Sequence, residues 1–345
     1  MKLTTIGIDL AKNVFQLHGV DERGKTVLRK QLKRTEMFTF FANLEPCLIG
    51  VEACGSAHFW ARKLQSLGHT VKLIAPQFVK PYVKRNKNDA ADAEAICEAL
   101  TRPTMRFVPI KSADQQAVLA AHRARTGFVK ARTAQANQIR GLLSEFGIVM
   151  PQGMATLNER LPAILEDAEN ELPEGLRAII ERLTQHLKTL DREAAALEKA
   201  IGAWHRQQAA SVKLADIPGI GPLTASALVA SVGDAKSFKN GRQLAAWLGL
   251  VPRQHSSGGK PRLLGISKRG DAYLRTLLIH GARAVIGQAA KRPGCPDGWL
   301  ARLMARRHKN VAAVALANKN ARTVWALLAH DRAYRTDYAA RRAAA

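Results

Sequence analysis

The chain opens with short runs in which apolar and polar residues alternate. Residues 3 to 9, 14 to 20 and 26 to 32 each carry this period-two pattern and predict three strands, with Asp21-Glu22-Arg23-Gly24-Lys25 as the turn before the third. The first 33 residues therefore read as an antiparallel meander. A helical pattern follows over Thr35 to Leu44, then an apolar strand from Cys47 to Val51 that ends at Glu52. A helix over Ala57 to Leu67 is closed by Gly68, and Thr70 to Ile74 makes a fifth strand. Farther on, Lys87-Asn88-Asp89-Ala90-Ala91-Asp92-Ala93 heads a further helix.

From about Ser112 to Phe146 the spacing is helical, and Met150-Pro151-Gln152-Gly153 breaks it. Leu176, Ile180, Leu183, Leu187, Leu190, Ala194, Leu197, Ile201 and Trp204 then alternate spacings of four and three, the seam of a coiled coil. No equally regular partner appears elsewhere in the chain, so the seam is expected to dimerise, with pairing inside the chain as the other option. Beyond it, Asp216-Ile217-Pro218-Gly219-Ile220-Gly221-Pro222 precedes an apolar helical run to Val232 and resembles a helix-hairpin-helix turn. Phe238 to Leu250 reads as an amphipathic helix with Trp247 inward, and Arg253 to Arg262 as a polar, basic, glycine-rich loop. Helices are expected over Ala272 to Gln288, Trp299 to Arg307 and Val311 to Leu328, and a basic tail after Asp331.

Three strands, helix, strand, helix, strand is the order of a ribonuclease-H-like (RuvC-like) α/β fold. That fold brings together a carboxylate on its first strand, one at the end of its fourth and others on its last helix. Here those are Asp9, Glu52, Asp89 and Asp92. Asp89 and Asp92, three apart, share a helical face. The predicted fold class is thus α/β plus all-α: a RuvC-like domain over 1–110, a basic helical segment over 111–150, a coiled coil over 170–206, a helical C-terminal domain with a helix-hairpin-helix-like motif over 207–330, and a tail over 331–345.

Charge narrows the function. A formal net charge of +25 on 345 residues exceeds what solubility needs and points to a polyanionic partner. No run approaches the ~20 apolar residues of a spanning helix, so nucleic acid is favoured over a membrane and a cytoplasmic, nucleoid-associated setting is expected. The charge is uneven. Residues 151 to 205 hold ten Asp/Glu against six Lys/Arg, which argues for helix pairing there. Residues 206 to 345 hold 24 Lys/Arg against six Asp/Glu and form the main polyanion-binding half. Residues 101 to 150 hold eight Lys/Arg against two Asp/Glu, so Arg123, Arg125, Lys130, Arg132 and Arg140 are candidate phosphate contacts. Gly219 and Gly221 join them through the backbone of their turn, and Arg253, Lys260, Arg262, Lys268 and Arg269 through their side chains.

Four clustered carboxylates would resist ionisation unless a cation neutralised them, and hard oxygen ligands select Mg²⁺ or Mn²⁺. The chemistry suggested is metal-dependent phosphoryl transfer on nucleic acid. Cys47, Cys54, Cys97 and Cys295 form no C-x-x-C pair and read as buried thiols, not zinc ligands or disulfides. Ser256 and Ser257 sit in a positive setting supplied by Arg253, His255, Lys260 and Arg262, though a serine in such a loop is ordinarily only solvated.

Five stretches together, Ile6 to Lys12, Gly50 to Ser56, Lys87 to Ala93, Ile217 to Gly221 and Gly249 to Gly258, resemble the DEDD transposases of the IS110 insertion-sequence family. Those are similar to the Piv/MooV DNA invertases, and the chain looks closest to the IS1111 branch. The resemblance implies an acid tetrad of Asp9, Glu52, Asp89 and Asp92 and a nucleophilic serine, matched here by Ser257, which directly precedes the motif glycine. Ser256 departs from a family member that carries an acid at this position. It further implies excision and insertion of the element through a phosphoserine intermediate, guidance by a bridge RNA, and a homodimer or homotetramer in which one subunit's tetrad works with another's serine. A metal-dependent structure-specific endonuclease without a covalent step, and a non-catalytic nucleic-acid-binding protein, are the alternatives.

Overall fold

A computed structural model of the chain describes residues 2–84, 88–291 and 298–335. The chain separates into two compact units, residues 1–116 with 232–234 and residues 117–231 with 235–345.

The first unit is mixed α/β. Its elements run β1 (Thr5–Leu10), β2 (Val14–Val20), β3 (Thr26–Lys33), α1 (Met37–Ala42), β4 (Leu48–Glu52), α2 (Ala57–Ser66), β5 (Thr70–Ile74), α3 (Pro76–Val79), α4 (Asp89–Leu100) and β6 (Phe107–Val108). The sheet order is β3-β2-β1-β4-β5-β6. The meander β1-β2-β3 is antiparallel, while β1-β4 and β4-β5 are parallel, as crossovers through helices require. All five expected strands are present. The sixth, antiparallel to β5, is two residues long and too short to leave a periodic signal.

Ile6, Ile8, Phe15, Leu17, Ile49, Val51 and Leu73 are buried, and α1 and α2 cover one face through Met37, Phe41, Trp60 and Leu64. The opposite face takes α4, whose Ile96 and Leu100 pack with Ile74 and Val79.

Among the described residues, the second unit is helical apart from one hairpin. It contains most of α5 (Ala113–Ser144), then α6 (Met154–Glu166), α7 (Glu174–Gln207), α8 (Ala209–Ala215), α9 (Pro222–Val232), α10 (Gly241–Trp247), β7 (Pro252–Gln254), β8 (Leu263–Ile266), α11 (Ala272–Lys291), α12 (Trp299–Arg306) and α13 (Lys309–His330). Helix α10 is shorter than the expected Phe238 to Leu250. Asn240 caps it by accepting the Gln243 N–H at 3.0 Å.

The α7 seam packs against helices of its own chain, the second of the two pairings expected for it. Ile180 and Leu187 pack with Ala136, Ile139 and Leu143 of α5 and Leu157 and Leu161 of α6. Arg125 pairs with Glu198, Arg132 with Asp191, and Gln135 with His186, so α5 and α7 run antiparallel. The irregular spacing of apolar residues on α5 hid this partner, because α5 shares its burial between α6 and α7 and shows no clean heptad. Nearer its start, α5 contributes His122, whose ring joins Tyr273 of α11 at 2.9 Å and Ser226 of α9 at 3.1 Å. Cys295 and residues 336–345 of the expected tail lie outside the described residues.

Candidate functional site

Strand β1 places Asp9 by simple alternation. Ile6, Ile8 and Leu10 point to one face, and Thr5, Gly7 and Asp9 to the other, where α4 lies. Gly7 is what lets the helix in. A Cβ there would stand 2.3 Å from the Ala93 carbonyl oxygen and 2.5 Å from Cys97 N, so only glycine permits this approach. Its β4 neighbour Gly50 faces Ile96 and Leu100 in the same way.

With Gly7 against Ala93 and Cys97, geometry delivers the acids. Asp9 lies two residues, about 6.7 Å, along the strand from Gly7. Asp89 lies four residues, about 6 Å, along the helix from Ala93, on the same stripe. The two steps nearly match, and carboxylate oxygens of Asp9, Asp89 and Asp92 all fall within 4.8 Å of one another. Asn88 holds the turn that carries two of them, its side-chain oxygen accepting the Ala91 N–H at 2.8 Å. Asp89 is exposed, and Asp9 and Asp92 are half-buried.

Glu52 ends β4 directly after Val51, the register partner of Ile8, so it lies beside Asp9 on the adjoining strand. Its carboxylate is not one of the three within 4.8 Å. Both acids act on the half-buried Cys54, whose thiol is raised from its ordinary value by burial first, then by the charges of Glu52 and Asp9. Cys47 and Cys97 are buried, and burial pushes both up to about 11, as expected of inert thiols.

Three carboxylate oxygens within 4.8 Å suit a divalent cation. Oxygens on opposite sides of an octahedral Mg²⁺ with ligands at about 2.1 Å are about 4.2 Å apart. The donor set is oxygen only, which matches Mg²⁺ or Mn²⁺ better than Zn²⁺. Asp9, Asp89 and Asp92 are thus the residues that would hold such an ion.

The expected serine loop is a β-hairpin. β7 pairs with β8, Lys260 N donates to Ser257 O at 3.1 Å, and Gly258 and Gly259 make the tip with φ of +54° and +73°. Two consecutive positive φ values define a primed turn, and the Gly-Gly pair accepts them without strain. The two serines differ. Ser256 Oγ accepts the Arg262 N–H at 3.1 Å and the Gln254 side-chain N–H at 2.9 Å, whereas Ser257 is exposed and its hydroxyl makes no hydrogen bond among the described residues. Arg253, Lys260, Arg262, Lys268 and Arg269 are also exposed.

Other predicted contacts are placed less openly. Arg125 and Arg132 are taken up by Glu198 and Asp191 of α7, and Arg140 donates to the backbone oxygens of Pro151 and Gly153. The acids missing from the α5 sequence come from the acidic helix beside it. Arg123 and Lys130 are exposed. In the glycine turn, Gly219 lies backbone to backbone against Gly281 of α11, and Gly221 is open.

An α/β unit with clustered carboxylates, in a chain whose helical half is strongly basic, is the build of an acid-site protein that handles a polyanion. Comparison makes this specific. A DEDD transposase family model, described as "Transposase", matches residues 6–148, and one described as "Transposase IS116/IS110/IS902 family" matches residues 212–293. A probable family 20 transposase of Pseudomonas aeruginosa is 56% identical over 336 residues, 97% of this chain and 99% of that protein. Similar too are the transposases of insertion elements IS1328 of Yersinia enterocolitica, 46% identical over 94% of this chain and 96% of the relative, and IS1111A of Coxiella burnetii, 46% identical over 96% and 91%. The chain belongs to the IS110/IS116 family of DEDD transposases. Transposases act on DNA, and among the described residues no helix is long and apolar enough to cross a membrane.

Proposed function

We propose that this transposase excises and inserts its element by strand exchange, with the acids of the first unit as metal ligands and the serine of the β7-β8 hairpin as nucleophile. The observation that carries the reading is the convergence of Asp9, Asp89 and Asp92 from a strand and a helix far apart in the chain. The sheet order supports a RuvC-like fold for this unit, with Glu52 completing the tetrad from the next strand.

In this reading Asp9, Asp89, Asp92 and Glu52 hold Mg²⁺ or Mn²⁺. When bound, the ion supplies Lewis-acid polarisation of the scissile phosphate and neutralises its developing charge. Ser257 Oγ forms the new bond to phosphorus as one backbone P–O bond breaks, its proton passing to the departing sugar oxygen, which leaves as a free hydroxyl, and a phosphoserine remains. Its free hydroxyl favours it over Ser256, whose oxygen is engaged within the hairpin. Arg253, Lys260 and Arg262 provide the positive setting, and Arg123, Lys130, Lys268 and Arg269 hold nucleic acid farther away. Gly221 remains the open part of the helix-hairpin-helix-like turn. The family resemblance adds a bridge RNA and the sharing of sites between subunits of a dimer or tetramer, in the cytoplasm at the nucleoid.

A suicide DNA substrate carrying the element end tests this. A covalent protein–DNA adduct is expected with the wild type and with Ser256→Ala, and none with Ser257→Ala. Free cleaved ends with Ser257→Ala still active would instead identify a metal-dependent nuclease. DNA processing that survives both Asp9→Asn and Asp92→Asn would remove the acids from the chemistry. Co-purification of a defined RNA tests the guide.

A further inference from the structure

The β7-β8 hairpin is a ribbon with two unlike faces. One register runs from its body to its tip: Gln254 pairs with Leu263, His255 N donates to Arg262 O at 2.9 Å, and Ser257 bridges Lys260 across the Gly258-Gly259 turn. Cross-strand partners put their side chains on one face, and successive residues alternate. Arg253, His255, Ser257, Lys260 and Arg262 therefore share one face, and Gln254, Ser256, Pro261 and Leu263 share the other. The Gln254 side-chain N–H reaches Ser256 Oγ at 2.9 Å, as two residues on one face can.

This sorts the charge completely. All three cations of the ribbon and its histidine lie on the Ser257 face, and the Ser256 face carries none. No Asp or Glu occurs in the sequence between Asp234 and Asp271, so the ribbon has no acid of its own to offset them. Every residue of the Ser257 face is exposed.

Register also ranks the cations by distance from the serine. Lys260 is directly opposite Ser257, and the Cβ atoms of such partners stand about 5 Å apart. His255 and Arg262 form the next pair on this face, two residues or about 6.7 Å along the ribbon. Arg253 lies a further step of that size away. The Lys260 ammonium thus has the shortest reach to a phosphate held against Ser257 Oγ, and the Arg262 guanidinium is set one step along, toward a neighbouring phosphate. A phosphodiester under attack gathers charge on its non-bridging oxygens, so a cation placed against them stabilises the transition state more than the bound substrate.

We propose that Lys260 is a catalytic residue: its ammonium contacts a non-bridging oxygen of the phosphate that Ser257 attacks, while Arg262 holds an adjacent phosphate of the same strand. This rests on the reading of Ser257 as the nucleophile. Lys260 forms no covalent bond in the step and contributes only charge.

The test uses the full chain and the suicide DNA substrate carrying the element end, with affinity and the rate of adduct formation at saturating DNA measured separately. Lys260→Met should slow adduct formation about a hundredfold, and Lys260→Arg should recover part of that loss. Arg262→Met should do the reverse, weakening binding about fivefold with the saturated rate little changed. A second substrate replaces one non-bridging oxygen of the scissile phosphate by a methyl group, which removes the charge that Lys260 would meet. On this neutral ester the gap between wild type and Lys260→Met should close to within a few-fold. A gap that stays the same on both substrates would overturn the proposal and make Lys260 a residue that only shapes the hairpin. So would a Lys260→Met variant that reacts at the wild-type rate while Ser257→Ala forms no adduct, a result that leaves the serine reading standing. Absence of an adduct with the wild type would remove the serine nucleophile and this role of Lys260 together.

Discussion

Asn88 controls more than its own hydrogen bond. By accepting the Ala91 N–H it sets the first turn of α4, and with it the direction of Asp89 and Asp92. Asn88→Ala should cost about 1 kcal/mol of stability in thermal or denaturant melts. It should lower DNA processing further than that loss explains, while Asn88→Asp restores both. Gly7 has a similar reach from the strand side. Gly7→Ala puts a methyl within 2.3 Å of a helix carbonyl, so α4 must shift. A destabilisation of about 1–3 kcal/mol is expected, with loss of activity even where the protein remains folded. The four acids were legible because a polar residue closing an apolar strand, or an i, i+3 pair at a helix start, breaks a strong local pattern. The roles of Gly7 and Gly50 were not, since a glycine in a strand looks alike whether it faces solvent or a helix.

The α5-α7 pair shows the same division for whole elements. The length and amphipathic stripe of α7 are written in its sequence, but its partner is not, because pairing depends on which surface lies alongside after folding. Leu187 is fully buried against α5 and α6, so Leu187→Ala should cost about 2–5 kcal/mol in denaturant unfolding. A variant that changed only self-association, with unfolding intact, would instead make the seam an interface between subunits. The cations of α5 divide accordingly. Lys130→Ala should lower the salt slope of DNA binding by about one, whereas Arg132→Ala, already paired with Asp191, should leave it unchanged.

For the whole molecule, pH acts on both units in the same direction. Burial, aided by nearby cations, holds His58 in the first unit and His122 in the second at about 4, against an ordinary 6.5. The unfolded chain therefore takes up these protons before the folded one does. Their contribution to stability is complete above about pH 6.5 and is lost as pH falls through 4. For the fully buried His122 this amounts to as much as about 3 kcal/mol. Thermal midpoints followed from neutral to mildly acidic pH should fall, and His122→Gln should flatten the second unit's dependence. The sequence by itself determined the strand and helix order, the placement of the acids at element ends, the charge division and the family, because periodicity, capping and charge are local and survive in one dimension. Only the tertiary structure decided which carboxylates meet within 4.8 Å and which arginines are taken up by α7. Those are distances between residues remote in the chain, and folding alone sets them.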